Sequence, residues 1–395
     1  MEADWSSLNS DLLEAIANRL RIEDYVRVQA VCKPWRLLIE RFPRHPHNQL
    51  PWLALPPAEN SNTCRFYSFT ERKLHHIELP ELRERRCCGS SHGWMVMVDK
   101  SPDVFLLNPL TGSRIPLPPI TTFPQVEDFL VSDDGDEKYC YRPHVLDRSH
   151  IYSGKLMQSR FLNKVALTGN PSVTRDYMVL AIYGDLEHLA FCREGDDNWT
   201  LVHQDDAKLI FEDVVYWKGN LYAVDYSGRL IECDLGGPIP EVKRILTTRL
   251  IIGDRSYLVV SGEELLLVSR TKECCFGERH YRRTKKFMVF KLDEESLTWV
   301  EVADLRDRMF FVGNNFALSL SANDFPECKA NYIYFTDDCV NGYVAYIKGT
   351  SKHLYGGHDL GAYDMTNGKI EPFPCFPEFT CSTWPPPFWS MLSPY

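Results

Sequence analysis

The apolar positions of this chain change period once. From Leu8 to Glu40 they recur at the spacing of an amphipathic helix, and beyond about residue 52 they fall into short β-type runs broken by turn residues. Leu12, Leu13, Ile16 and Leu20 stripe a first helical segment, with Asn9, Ser10 and Asp11 before it as capping groups and first-turn acid. The segment IEDYVRVQAV puts Tyr25, Val28 and Val31 at helical spacing, and PWRLLIE opens on Pro34, which suits a first helical position. Three short helices are predicted. Some forty residues cannot bury enough apolar surface to hold them firmly alone, so exposed Leu, Val and Trp here predict a docking module or a covering neighbour.

The stretch RFPRHPHNQLPWLALPP follows, and its prolines remove backbone donors and turn the residues before them away from helix. It reads as a linker over 42–57 between a helical part at 1–41 and a β part at 58–395. Within the β part a loose repeat recurs: an apolar pair, an Asp or Asn, a turn with Gly or polar residues, then a second short strand. VFLLNPLTGSRIPLP from Val104, LYAVDYSGRLIECDL from Leu221, FMVFKLDEESLTWVEV from Phe287 and GAYDMTNGKIEPFP from Gly361 share it. RFYSFTERKLHHIELP from Arg65 is a weaker copy. DVVYWKGNLYAVD and SYLVVSGEELLLVSR add a further strand, with turns at Lys218-Gly219-Asn220 and Ser261-Gly262-Glu263. Four short strands per unit of about 40 to 50 residues predict a β-propeller of about six or seven blades. The stretch from about Asp133 to Arg160 lacks the pattern and reads as an insertion.

A net charge of −10 opposes non-specific nucleic-acid binding and favours a protein partner. The 13 cysteines are odd in number, scattered and without a CxxC, so they read as reduced thiols of a cytoplasmic or nuclear protein. The pairs Cys87-Cys88 and Cys274-Cys275 lack the spacing that aims two sulfurs at one zinc ion. Acids at the N-terminus and the lack of an apolar run of about eighteen residues predict neither an export signal nor a membrane span. His45 and His47 sit in the linker, His75 and His76 on opposite strand faces, and His353 and His358 beside a Gly-Gly pair. None makes an HxxxH face, so no metal is expected. With no nucleophile elbow, Walker loop, Rossmann glycine pattern or kinase set, no catalytic residue and no cofactor are expected either.

LNSDLLEAIANRL followed by YVRVQAVCKPWRLLI resembles the F-box across nearly its whole motif, with Asn9 where that family usually has Pro. CCGSSHGWMVMVD, FLLNPLTGSRIPLPP, MFFVGNNFALSLSANDFPECKANYIYFTDD, GAYDMTNGKIEPFP and WPPPFW resemble the propeller of the KIB-type, kelch-like F-box proteins of plants. The resemblance implies a small all-α F-box followed by an all-β propeller. It implies the substrate receptor of a Skp, cullin and F-box ubiquitin ligase, whose chemistry belongs to other subunits and whose protein target the sequence does not name. Contact with the Skp-type adaptor is implied for Leu8, Leu12, Ile16, Leu20, Val31, Cys32, Trp35 and Leu38, with Leu13, Val28 and Ile39 in the module's own small core.

Other readings stand beside these. The helical stripe could instead be a cap packed on the β part, and the chain could be an adaptor-binding scaffold outside a ligase or a propeller hydrolase with a carboxylate pair. RHYRRTKK, Arg279 to Lys286, is expected as a solvated hairpin loop, with a nuclear-import or acidic-partner patch as the alternative. WPPPFW, Trp384 to Trp389, is expected to close against the propeller, with a polyproline ligand as the alternative.

Overall fold

A computed structural model describes residues 8–17, 19–20, 24–25, 28, 31–41, 49–55, 61–99, 101–142, 148–185, 187–202, 209–237, 240–246, 253–275, 281–338, 359–373 and 386–393. His45, His47, Arg279, His353, His358, Trp384 and the side chain of Ile39 lie outside the described residues.

The chain opens on helices Ser10–Ala17 and Lys33–Arg41, which pack on each other, and Asp24, Tyr25 and Val28 between them are helical where described. Asn9 caps the first helix: its side-chain oxygen accepts from the backbone N–H of Asp11 at 2.8 Å, and its carbonyl accepts from Leu13 N. The position that lacks the usual proline thus satisfies an otherwise orphaned helix donor with an amide side chain.

The rest is a propeller-like succession of sheets, antiparallel but for one parallel pair in the last. The first holds Trp52–Leu55 (β1), Thr63–Ser68 (β2) and Lys73–Glu78 (β3). The second holds Arg86–Ser91 (β4), Trp94–Val98 (β5), Val104–Leu107 (β6) and Arg114–Leu117 (β7). Val126–Val131 (β8), Glu137–Tyr141 (β9) and His150–Ser153 (β10) form a separate three-stranded sheet, and a short helix, Gly154–Arg160, follows it. The stretch from about Asp133 to Arg160, expected as an insertion, falls within this sheet and helix, which begin earlier, at Val126.

Three more sheets come next. One contains Leu162–Leu167 (β11), Met178–Tyr183 (β12), His188–Arg193 (β13) and Thr200–Leu201 (β14). Another contains Phe211–Trp217 (β15), Asn220–Asp225 (β16), Leu230–Asp234 (β17) and Glu241–Leu246 (β18). The third contains Arg255–Ser261 (β19), Glu264–Cys275 (β20), Tyr281–Asp293 (β21) and Thr298–Val302 (β22).

The last sheet runs β24-β23-β25-β26-β27, from Arg308–Gly313 (β23), Phe316–Ser321 (β24), Tyr332–Phe335 (β25), Gly361–Asp364 (β26) and Ile370–Glu371 (β27), with β23 and β25 parallel. Phe388–Ser390 (β28) then pairs with β1, so the end of the chain completes the first sheet. The closing role expected of the final tryptophan-proline segment is met by Phe388 and Trp389. Trp52–Leu55 departs from the linker reading. It pairs with both β28 and β2, and all four of its side chains are buried, Trp52 and Ala54 in one apolar cluster and Leu53 and Leu55 in another, so pairing and burial outweigh the prolines on either side.

The five repeat segments are hairpins: β2–β3, β6–β7, β16–β17, β21–β22 and β26–β27. Their recurring Asp or Asn has a mechanical role, because one side-chain oxygen takes turn amides that the ladder leaves free. Asn108 accepts from Leu110 and Thr111, Asp225 from Ser227 and Arg229, Asp293 from Glu295 and Ser296, and Asp364 from Thr366. In the weaker copy Ser68 substitutes, accepting from Glu71 N at 3.3 Å.

Second strands such as β5 and β12 read as near-continuous apolar runs because sheets cover both their faces, whereas the last strands β7 and β22 alternate or are exposed. Apolar clusters lie between successive sheets: β1–β3 with β4–β7, β4–β7 with β11–β14, β11–β14 with β15–β18, β15–β18 with β19–β22, and β19–β22 with β23–β27. A sixth joins β23–β27 to β1, β2 and β28. The first strands of neighbouring sheets touch, closely enough at Gly89 that a Cβ there would stand 2.5 Å from the Val165 carbonyl oxygen.

Candidate functional site

Two places hold chemistry that packing alone does not explain, the first being the helical part. Leu13, Ala17 and Tyr25 are buried and belong to one apolar cluster with Trp52, Phe66, Met95 and Leu107 of the first two sheets. Of the residues expected to meet an adaptor, Leu8, Leu20, Trp35 and Leu38 are half-buried against that cluster, and Val28, expected in the module's own core, joins them. Cys32 is half-buried. Leu12, Ile16 and Val31 instead face outward at 57%, 43% and 60% exposure, as does Leu37 at 50%. The helical stripe therefore divides into a half anchored on the β part and a half left uncovered. Sequence spacing missed Leu37, whose neighbours Trp35 and Leu38 carry the motif.

The second place is the line of first strands, whose beginnings hold buried charge. Arg86 of β4 donates to the carbonyls of Leu162 at 2.6 Å and Asn163 at 3.4 Å. Lys164 of β11 pairs with Asp213 of β15 at 2.5 Å, and Asp213 also accepts from Val214 N and Leu258 N, both at 2.7 Å. Arg255 of β19 lies 3.7 Å from Glu187 and donates to Asn314 at 3.0 Å. Burial pushes Lys164 and Arg86 below their ordinary values. Burial also lifts Glu212 from the usual carboxylate range to about 7, against the opposing pull of Arg255.

A second charged knot lies between the last two full sheets. Fully buried Arg270 donates to Asp359 at 2.8 Å, Thr284 at 2.7 Å, the Tyr257 hydroxyl at 3.0 Å and the Thr336 carbonyl at 2.9 Å, with Asp338 at 3.4 Å. Lys272 also contacts Asp338. Burial alone would raise the Asp338 carboxyl, but Arg270, Lys272 and Arg255 outweigh it and hold the group well below the carboxylate range. Nothing in the sequence pattern marks these groups, since isolated Arg, Lys and Asp in strands read as surface.

Between these strands lies a cavity of about 860 Å³, lined by β4, β11, β15, β19 and β24. Its walls include Val165, Leu167, Val214, Leu258, Phe316 and Leu320, and its polar lining includes Lys164, Arg308 and Ser319. The basic run predicted as a loop is in part strand: Tyr281–Lys286 extends β21 beside β20, with Arg282 bonded to Asp254 at 2.5 Å and Lys285 3.7 Å from Glu273. Among the described residues no helix is long and apolar enough to cross a membrane, and no group of three or more His, Cys, Asp or Glu could hold a metal ion. Cys32, Cys64, Cys87, Cys88, Cys140, Cys192, Cys233, Cys274 and Cys328 are free thiols, with Cys64, Cys87, Cys88, Cys192, Cys233 and Cys328 buried.

Comparison with known proteins assigns both parts. Residues 5–47 match the F-box domain and residues 66–364 match the KIB1-4 beta-propeller. The F-box protein SKIP23 of Arabidopsis thaliana is 29% identical, over 98% of this chain and 95% of that protein. A second F-box protein of the same plant is 29% identical over 99% of this chain and 95% of its own length. A third is 25% identical over 85% of this chain. An F-box at the start, a propeller match across most of the remainder and end-to-end similarity to plant F-box proteins lead to one assignment: the chain belongs to the KIB1-4 beta-propeller family of F-box proteins.

Proposed function

We propose that this chain is the substrate-recognition subunit of a Skp, cullin and F-box ubiquitin ligase, with a non-catalytic role. The F-box would bind a Skp-type adaptor and through it a cullin, and the β part would recruit a protein target. The observation that carries the reading is the outward exposure of the large apolar side chains Leu12, Ile16 and Val31, while other residues of the same helical part are buried against the sheets. A lone helical cap has no reason to keep large aliphatic groups in water, whereas a docking surface requires them. In this reading Leu12, Ile16 and Val31 are the adaptor anchors. Leu8, Leu20, Cys32, Trp35 and Leu38 contribute their exposed edges and hold the helices in place.

We further read the six sheets of four or five strands as the blades of one ring, with the three-stranded sheet as an insertion between the second and third blades. Supporting this, the apolar clusters link the sheets pairwise and join the last to the first, while β28 from the chain's end completes the sheet that β1 begins. A ring in which the first and last strands of the β part share one sheet leaves only short, protected edges. In the division of labour that follows, 1–41 docks and the ring recruits.

The test is affinity purification of the full chain from plant cells, followed by immunoblotting for adaptor and cullin. Both should co-purify, and both should be lost with Leu12→Glu/Ile16→Glu. Recovery of adaptor without cullin would identify a scaffold outside the ligase, and turnover of a glycoside by the purified chain would identify a hydrolase.

A further inference from the structure

The cations that the β part draws inward are almost all answered by the protein itself. Lys164 meets Asp213, Arg255 meets Glu187, Arg270 meets Asp359, and Lys272 meets Asp338. Arg86 and Arg193 direct their guanidinium groups to backbone carbonyls. Arg308 differs. It lines the cavity at the start of β23, half-buried, and its Nε donates to Ser319 at 3.0 Å and Ser261 at 3.1 Å. Among the described residues no carboxylate lies within 4.0 Å of it, and its two terminal nitrogens meet no protein acceptor. Asp324, which also lines the cavity, is exposed and sits beyond that distance.

This arrangement aims a guanidinium without neutralising it. Two hydroxyls fix Nε, leaving the terminal nitrogens, which form a fork suited to two oxygens of one anion. The surroundings supply the other half of a recognition site. Val165, Leu167, Val214, Leu258, Phe316 and Leu320 give the cavity an apolar wall, and Lys164, the other cation there, is already neutralised by Asp213. At about 860 Å³ the space falls within the roughly 300–1,000 Å³ typical of small-molecule sites. An inorganic anion would leave the apolar wall unused, and a neutral apolar ligand would leave Arg308 unpaired.

We propose that the cavity binds a small amphipathic organic acid, with its carboxylate on the terminal nitrogens of Arg308 and its apolar body along the walls formed by β11, β15, β19 and β24. This site is independent of the adaptor reading, because it is formed wholly by the β part and is read out by binding to the chain itself.

The test is calorimetric titration of the full-length chain with 4-phenylbutyrate and decanoate, each compared with its primary amide. Both acids should bind, with the amides at least tenfold weaker. Arg308→Gln should weaken the acids to the level of the amides while leaving the amides unchanged. Should Arg308→Gln fail to fold, Ser261→Ala/Ser319→Ala provides the second arm, and loss of the Nε clamp should weaken the acids at least threefold with no change for the amides. Equal binding of acids and amides, acid binding indifferent to these substitutions, or no binding by either acid at millimolar concentration would each overturn the proposal. Binding of a blocked acidic tetrapeptide in place of the small acids would also overturn it, assigning Arg308 to a side chain of a protein partner.

Discussion

The helical part wears aliphatic side chains on its outside, while the β part keeps charged side chains on its inside. Leu12, Ile16 and Val31 stand in solvent, whereas Arg270, Asp338, Lys164 and Asp213 are almost wholly removed from it. Each is an inversion of the ordinary arrangement, and the physical consequences are opposite. Exposed apolar side chains cost the isolated chain little and stabilise a complex. A buried ion network contributes little net stability over an apolar filling, yet removing one partner strands the others in low dielectric. Substitution in the first region should therefore spare the fold and abolish an interaction, and substitution in the second should do the reverse.

The largest expected effect is in the interior. Arg270→Met leaves Asp359 and Asp338 short of a buried partner and should cost on the order of 3 to 5 kcal/mol of unfolding free energy. Arg282→Met, at an exposed pair with Asp254, should cost less than about 1 kcal/mol. Urea titration of both variants checks the contrast, and equal losses would break it.

A smaller effect concerns pH. Glu212 holds its proton up to about 7 in the folded chain against an ordinary value of 4.5, so the native state binds that proton more readily than the unfolded state does. Its contribution is therefore intact below about pH 4.5 and is lost as pH rises through 7. Glu212→Gln should remove that loss, gaining on the order of 3 kcal/mol over wild type at pH 8 and little at pH 4.5. Melting curves across that range would show it, and parallel pH profiles for the two proteins would contradict it.

The smallest effect sharpens the helical side. Asn9→Ala removes the cap on Asp11 N and should cost about 1 kcal/mol or less, read as reduced helical protection in hydrogen exchange over Ser10–Ala17 while the sheets are unchanged.

The two regions also differ in how much of them the sequence discloses. Helical spacing is a local signal, so the outward residues Leu12 and Ile16 and the inward residue Leu13 are all found from residues within two turns of each other. The hairpins are legible for the same reason, because Asn108, Asp225, Asp293 and Asp364 bond to amides two to four residues away. Trp52–Leu55 was not, since what makes it a strand is partly β28, more than three hundred residues later. Arg308 and the Arg270 network are hidden for that reason too. Arg270 meets Asp359 across 89 positions, and Arg308 meets Ser261 across 47, distances over which no periodicity carries information.

The most direct test of the account is the affinity of the purified full-length chain for a purified Skp-type adaptor, measured for wild type and for Leu12→Ala/Ile16→Ala. Two large apolar anchors at the centre of a dry interface are worth on the order of 2 kcal/mol together, so binding should weaken at least thirtyfold. The melting temperature should not fall, because both side chains are exposed in the free chain. Undiminished adaptor affinity in a double variant that melts like wild type would contradict the account, leaving the outward apolar side chains without the role assigned to them.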